Sequence, residues 1–185
     1  ALELVVRAHV VLEHVPDEGP AVLVSNHVSY VDALIIAAAC RRPIRFVMDH
    51  AIFRIPVLNF VFRTGRAIPI ASSRDDPELL ERAYDEIAQA LGAGDLVCIF
   101  PEGRITDNGE MYPFLAGIQR ISERTPVPVI PLALRGLWGS YFSRKGGPAM
   151  TRPFRRGAFS KIALAVGNPV SLQQVSIDAL LSRVF

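Results

Sequence analysis

Apolar and polar residues alternate along residues 2–12, and a short apolar run at 21–24 follows the turn-rich Pro16-Asp17-Glu18-Gly19-Pro20. Both patterns predict strands. An apolar stretch at 31–40, rich in Ala, Leu and Ile and opened by Ser29-Tyr30-Val31-Asp32, predicts a helix. Residues 44–48 predict a strand. The clearest helix follows Asp76-Pro77, where Leu79, Leu80, Ala83, Ile87, Ala90 and Leu91 recur at helical spacing over 78–91 before Gly92 and Gly94 end it. Further strands are predicted at 96–100, 127–134 and 162–166, with short helices at 117–124 and 172–181.

Strands alternating with helices predict an α/β fold, with a central, mostly buried mixed sheet flanked by helices. No repeat, low-complexity tract or linker divides the chain, so residues 1–185 are expected to form a single domain. The Gly/Pro/Arg-rich span 144–157 reads as a loop or mobile flap.

Composition narrows the class. Half of the 185 residues are apolar, too many for a disordered chain, and two cysteines are too few for a disulfide-stapled one. A mean hydropathy of +0.29 is nevertheless high for a domain that meets only water. The most apolar stretches, 33–40 and 52–62, fall well short of a membrane span, and Arg54 interrupts the second. The surplus is therefore expected in a core, a groove or a membrane-facing patch. Residues 1–7 lack a signal-peptide pattern, and the chain starts at Ala, which reads as a piece excised from a longer protein.

Charge is unevenly placed. Residues 1–134 carry 12 Lys/Arg against 17 Asp/Glu, whereas 135–185 carry 8 Lys/Arg against Asp178 alone. A tail at +7 suits anionic lipid head groups, a nucleotide-bearing cofactor, an acidic carrier protein or nucleic acid, or is simply a solvated basic face. No nucleic-acid recognition motif accompanies it, which removes that partner.

Two constellations carry chemistry. The first is Asn26-His27-Val28-Ser29-Tyr30-Val31-Asp32, where a strand hands over to a helix. On a continuous helix His27 and Asp32 would lie about 140° apart. They meet only if His27 sits in the loop and Asp32 in the first helical turn. A carboxylate on one imidazole nitrogen then fixes the tautomer, leaving the other to take a proton from a hydroxyl. The alternative reading is structural: Ser29 with Asp32 three residues on fits a capping box, and Asn26 a turn residue.

The second is Phe100-Pro101-Glu102-Gly103-Arg104-Ile105-Thr106, directly after a buried strand. Ligands gather in such loops. Gly103 allows close backbone approach, Arg104 suits a phosphate, and Glu102 can accept from a substrate hydroxyl or orient Arg104. The alternative is an ordinary polar loop. No serine elbow, metal-ligand pair, phosphate loop or dinucleotide fingerprint competes, and Cys40 and Cys98 lie in apolar runs as expected of core residues.

Together, Asn-His-x-Ser-x-x-Asp and, some 70 residues on, Phe-Pro-Glu-Gly-Arg-x-Thr resemble the glycerolipid acyltransferases. Residues 46–70 resemble that family's second block, and the Val-Pro-rich segment 127–134 its fourth. The resemblance implies a glycerol-3-phosphate acyltransferase-like fold. It also implies transfer of a fatty acyl group from an acyl thioester, on acyl carrier protein or coenzyme A, to a lysophospholipid hydroxyl. His27 would be the general base, Asp32 would hold it, and Glu102, Gly103 and Arg104 would bind the acceptor's phosphate or glycerol. No covalent acyl-enzyme, metal or cofactor is implied.

We add Asn26, with nearby backbone N–H groups, as a candidate oxyanion donor. Asp49-His50 stands where many members carry Lys, and the Arg that usually follows an Ile-Pro-Ile-like strand is displaced to Arg74, so Arg66 becomes a substitute phosphate ligand.

Residues 103–140 look closest to the acyltransferase module of bacterial 2-acylglycerophosphoethanolamine acyltransferases, modules often fused to an acyl-carrier-protein synthetase or a lysophospholipid transporter. That implies a lysophospholipid acceptor such as 2-acylglycerophosphoethanolamine. The alternatives are 1-acylglycerol-3-phosphate acylation, yielding phosphatidate, and a non-catalytic lipid-binding module. The expected location is peripheral, on the cytoplasmic face of the inner or plasma membrane. Ile52, Phe53, Ile55, Val57, Leu58, Phe60, Val61 and Phe62, split by Pro56, are expected at the membrane or along an acyl groove, with Trp138 and Tyr141 at head-group depth.

Overall fold

The computed structural model describes residues 9–10, 14–54, 56–114, 116–151 and 162–170, the side chains of 9–10 and 56–58 excepted. Among the described residues seven strands form one mixed sheet: β1 (His9–Val10), β2 (Ala21–Ser25), β3 (Ile44–Asp49), β4 (Ile68–Ile70), β5 (Leu96–Ile99), β6 (Val129–Arg135) and β7 (Ala163–Val166). Their order across the sheet is β1-β7-β6-β2-β5-β3-β4. Every pairing is parallel except β6 with β7.

Central strands β2 and β5 are buried along their whole length, as their unbroken apolar runs require when both faces are covered. On one face, α3 (Pro77–Gly92) lays Ala83, Ile87, Ala90 and Leu91 against Val22, Val24, Val97 and Ile99, and α4 (Gly117–Arg124) adds Ile118 and Ile121. On the other, Ala33 and Ile36 of α1 (Asp32–Ala39) meet Leu23, Cys98 and Leu132. Asp76 caps α3 by accepting from the Leu79 N–H at 2.8 Å, and Pro77 opens its first turn.

The apolar segment 52–62 becomes a 3-10 turn (His50–Arg54) followed by α2 (Pro56–Thr64). Phe53 and Phe62 pack on each other at 5.9 Å between ring centroids, while Phe60 is 74% exposed. Residue 55 and the side chains of Val57 and Leu58 lie outside the described residues. So do most of the strand expected at 2–12, the helix expected at 172–181 and the second half of the 144–157 loop.

The parallel core places the carboxyl ends of β2 and β5 side by side, in register Val24 to Ile99. Asn26 and His27 follow β2, and Phe100 to Arg104 follow β5. Both sequence constellations therefore emerge at one edge of the sheet, where open α/β sheets bind ligands.

Candidate active site

His27 lies in the loop between β2 and α1, and Asp32 opens the helix. The side chains meet, with His27 Nδ1 2.9 Å from Asp32 Oδ2. Asp32 is fully buried and its carboxylate is saturated: Oδ2 also accepts the backbone N–H groups of Val28 (2.7 Å) and Ser29 (2.9 Å), and Oδ1 accepts the Ser29 hydroxyl (2.6 Å). The two readings of Ser-x-x-Asp thus share one carboxylate. Asp32 takes the Ser29 N–H, as the acidic partner of a capping box does, while the Ser29 hydroxyl donates to Asp32 and accepts the Val31 N–H at 3.3 Å. A buried carboxylate with four donors is stable only when all four are in place.

The His27 ring stacks on Phe100 at 4.2 Å between centroids and 20° between planes. Its side chain is 21% exposed. With Nδ1 facing Asp32 and one ring face on Phe100, Nε2 is the nitrogen left for a substrate. That geometry suits proton abstraction from a hydroxyl.

Glu102 joins the two constellations. Its Oε1 accepts the His27 N–H and its Oε2 the Tyr112 N–H, each at 2.8 Å. Burial raises the Glu102 carboxyl above its ordinary range, against the lowering pull of those two N–H groups and of the nearby His27. Thr106 N–H donates to the His27 carbonyl at 3.0 Å, so the backbone on both sides of His27 is tied to the loop after β5. Gly103 takes φ +67°, a conformation that favours glycine, and its N–H closes a turn onto the Phe100 carbonyl. Arg104 is exposed, with its guanidinium carbon 3.7 Å from the centre of the Tyr112 ring. The Tyr112 hydroxyl donates to Asp107, and that hydrogen bond, with Arg104 nearby, holds the Asp107 carboxyl below its ordinary range.

Two of the expected site residues make structural contacts of their own. Asn26 is 5% exposed and both ends of its amide are occupied: Nδ2 donates to the Leu134 carbonyl (3.0 Å), and the Leu134 N–H donates to Oδ1 (2.7 Å). It clamps β2 to β6 and also lines the cavity beside Glu102. Arg66 precedes β4 and pairs at 3.7 Å with Asp95, which precedes β5. Parallel strands put both at the amino-terminal edge of the sheet, on the order of 15 Å of strand away from His27.

A cavity of about 460 Å³ adjoins Glu102, lined among others by Glu110, Met111, Leu137 and Trp138. Trp138, expected at head-group depth, is half-buried and lines this cavity. The sequence pattern also left Ser29, Phe100 and Tyr112 without site roles. Only Ser29 carried a signal, its spacing to Asp32.

A three-layer α/β sheet with a His–Asp pair at its carboxyl edge defines the class. The Acyltransferase family profile matches residues 7–135, and the chain belongs to that family. It is 31% identical over 126 residues to a chloroplastic 1-acyl-sn-glycerol-3-phosphate acyltransferase of Brassica napus, covering 68% of this chain and 36% of that protein. It is 29% identical over 133 residues to the N-acylphosphatidylethanolamine synthase of Arabidopsis thaliana, covering 65% and 46%. The crystal structure of the 1-acyl-sn-glycerophosphate acyltransferase PlsC of Thermotoga maritima superposes with a TM-score of 0.71 at 22% identity, over 93% of this chain and 66% of that one, a likeness of fold. The chain spans between a third and a half of the length of these two curated relatives.

Proposed function

We propose that this domain transfers a fatty acyl group from a thioester to the free glycerol hydroxyl of a lysophospholipid, with an ethanolamine head group as the preferred acceptor. The observation that carries the reading is the His27–Asp32 contact at 2.9 Å, set at the sheet edge beside Glu102 and Arg104. In this mechanism His27 Nε2 takes the hydroxyl proton as the oxygen attacks the thioester carbonyl. Asp32 stabilises the resulting imidazolium. The tetrahedral intermediate collapses, the C–S bond breaks, and the imidazolium returns its proton to the departing thiolate. The ester and a free thiol are the products, so no acyl-enzyme is required. Arg104 and the Gly103 backbone receive the acceptor's phosphate.

A second reading, acylation of 1-acylglycerol 3-phosphate, is favoured by relatives named for that reaction, those of Brassica napus and Pseudomonas aeruginosa among them. The donor is a thioester of acyl carrier protein or coenzyme A. Among the described residues no helix is long and apolar enough to cross a membrane. We place the domain peripherally on the cytoplasmic face; contact with a membrane surface is supported by exposed Tyr30, Leu34, Tyr141 and Met150. Tyr30 N–H donates to the Phe142 carbonyl and the Tyr141 hydroxyl to the Met150 carbonyl, which gathers the two loops beside exposed Arg144 and Lys145.

The test is mass-spectrometric detection of diacyl product from acyl thioester and separate lysophosphatidylethanolamine, lysophosphatidylglycerol and lysophosphatidate acceptors. A diacyl product that is most abundant with the ethanolamine acceptor is expected. Product from lysophosphatidate alone selects the second reading, and no product from any acceptor defeats both.

A further inference from the structure

We propose that the cavity beside Glu102 receives the ammonium end of a zwitterionic head group, with Glu110 as its carboxylate and Trp138 as its aromatic wall. The inference rests on the lysophospholipid reading above and names the part of the site that chooses among head groups.

The loop from Thr106 to Glu110 is locked by its own hydrogen bonds. The buried Thr106 hydroxyl donates to Asn108 Oδ1 (2.9 Å) and accepts the Gly109 N–H (3.0 Å), while Asn108 Oδ1 also takes the Glu110 N–H (2.9 Å). Thr106 N–H in turn holds the His27 carbonyl. Glu110 is therefore presented by a rigid turn whose first residue is bonded to the base itself.

Trp138 is seated on the same turn. A β-carbon at Gly109 would lie 2.6 Å from Trp138 Nε1 and 2.7 Å from Cε2, and Gly109 takes φ +90°. Only glycine lets the indole rest there. The cavity thus has an aromatic wall with a fixed seat, two carboxylates, Glu102 and Glu110, and one cation, the exposed Arg135, so its charged lining matches a zwitterion rather than a bare ammonium. Both Glu102 oxygens already hold backbone N–H groups. Glu110 has one weak side-chain contact, from Asn108 Nδ2 at 3.4 Å, and is exposed. A carboxylate beside an indole attracts an ammonium and repels a phosphate. Arg104, two residues after Glu102, supplies the complementary phosphate position. A purely anionic head group gains nothing from Glu110.

The experiment titrates wild type, Glu110→Gln, Glu110→Asp and Gly109→Ala with sn-glycero-3-phosphoethanolamine and with sn-glycerol 3-phosphate, read by calorimetry. The same proteins are then assayed with lysophosphatidylethanolamine and lysophosphatidate. Glu110→Gln is expected to lower the binding ratio of ethanolamine ligand to glycerol phosphate about tenfold, the size of one lost charge-assisted contact. The matching kcat/KM ratio falls with it, mainly through KM. Glu110→Asp recovers part of the ratio, and Gly109→Ala lowers it by displacing Trp138. An unchanged ratio in Glu110→Gln, or a wild type that does not bind the ethanolamine ligand, overturns the pocket and leaves acyl transfer standing if lysophosphatidate is turned over. A changed binding ratio with no turnover of either acceptor supports the pocket and defeats the acyltransferase reading.

Discussion

Removing the Glu102 carboxylate tests how the two constellations are held together. Glu102 is 4% exposed and accepts one backbone N–H on each oxygen, from His27 and Tyr112. Glu102→Ala leaves both N–H groups facing a cavity without an acceptor, and each unsatisfied buried donor costs about 1–3 kcal/mol. Part of that is recovered, because burying the carboxylate is itself unfavourable, as its raised pKa shows. The expected loss is roughly 2–4 kcal/mol for Glu102→Ala, and roughly 1–3 for Glu102→Gln, whose amide satisfies one N–H and opposes the other.

The pH dependence carries a sign. A carboxyl raised in the folded state leaves the native protein binding more protons than the unfolded chain between the two pKa values. Its contribution to stability is then lost as pH rises through that window. Urea unfolding followed by circular dichroism between about pH 4 and 7 reads both effects. The stability of wild type relative to Glu102→Gln should decline as pH rises. Variants within about 0.5 kcal/mol of wild type, or a gap that widens with pH, refute the clasp.

Three further outcomes follow from the placement of individual residues. Asn26→Ala is expected to cost about 2–4 kcal/mol in urea unfolding, since it strips two hydrogen bonds from the buried seam between β2 and β6; a loss below about 0.5 kcal/mol would remove the clamp. Arg66→Ala should leave kcat/KM with any acceptor unchanged, because its ion pair with Asp95 lies at the opposite sheet edge; a tenfold fall would return Arg66 to the site. Burial pushes the Cys98 thiol far up, so maleimide should label Cys40 in the native protein and reach Cys98 only on unfolding; equal labelling rates contradict the packed sheet.

Helix α3 was fully legible in the sequence, because its cap, its opening proline, its apolar stripe and its terminal glycines all agree within one segment. Strands β2 and β5 were legible for the same local reason, uninterrupted apolar runs with turn residues at their ends, and β6 was legible as an apolar strand despite Pro131. What local pattern could not carry was adjacency. Asn26 looks like a turn residue or a polar ligand until β6 is placed beside β2, when Leu134 consumes its amide. Arg66 looks like a phosphate ligand until the parallel register sends it to the far edge. Trp138 and Gly109 are 29 residues apart in the chain, and only folding reveals that one seats the other. His27 and Asp32 were recoverable because a five-residue spacing across a loop–helix junction brings them together by local geometry alone.

The central claim is that His27, held by Asp32, is the base. Its most direct test is thiol release from an acyl thioester, coupled to diacyl product, in wild type, His27→Ala and Asp32→Asn, each checked for folding. Loss of a positioned general base predicts a fall in kcat of about 10²–10⁴ for His27→Ala. Asp32→Asn should follow it, since an amide cannot hold the imidazolium. A folded His27→Ala protein that releases thiol and forms product at the wild-type rate would contradict the account.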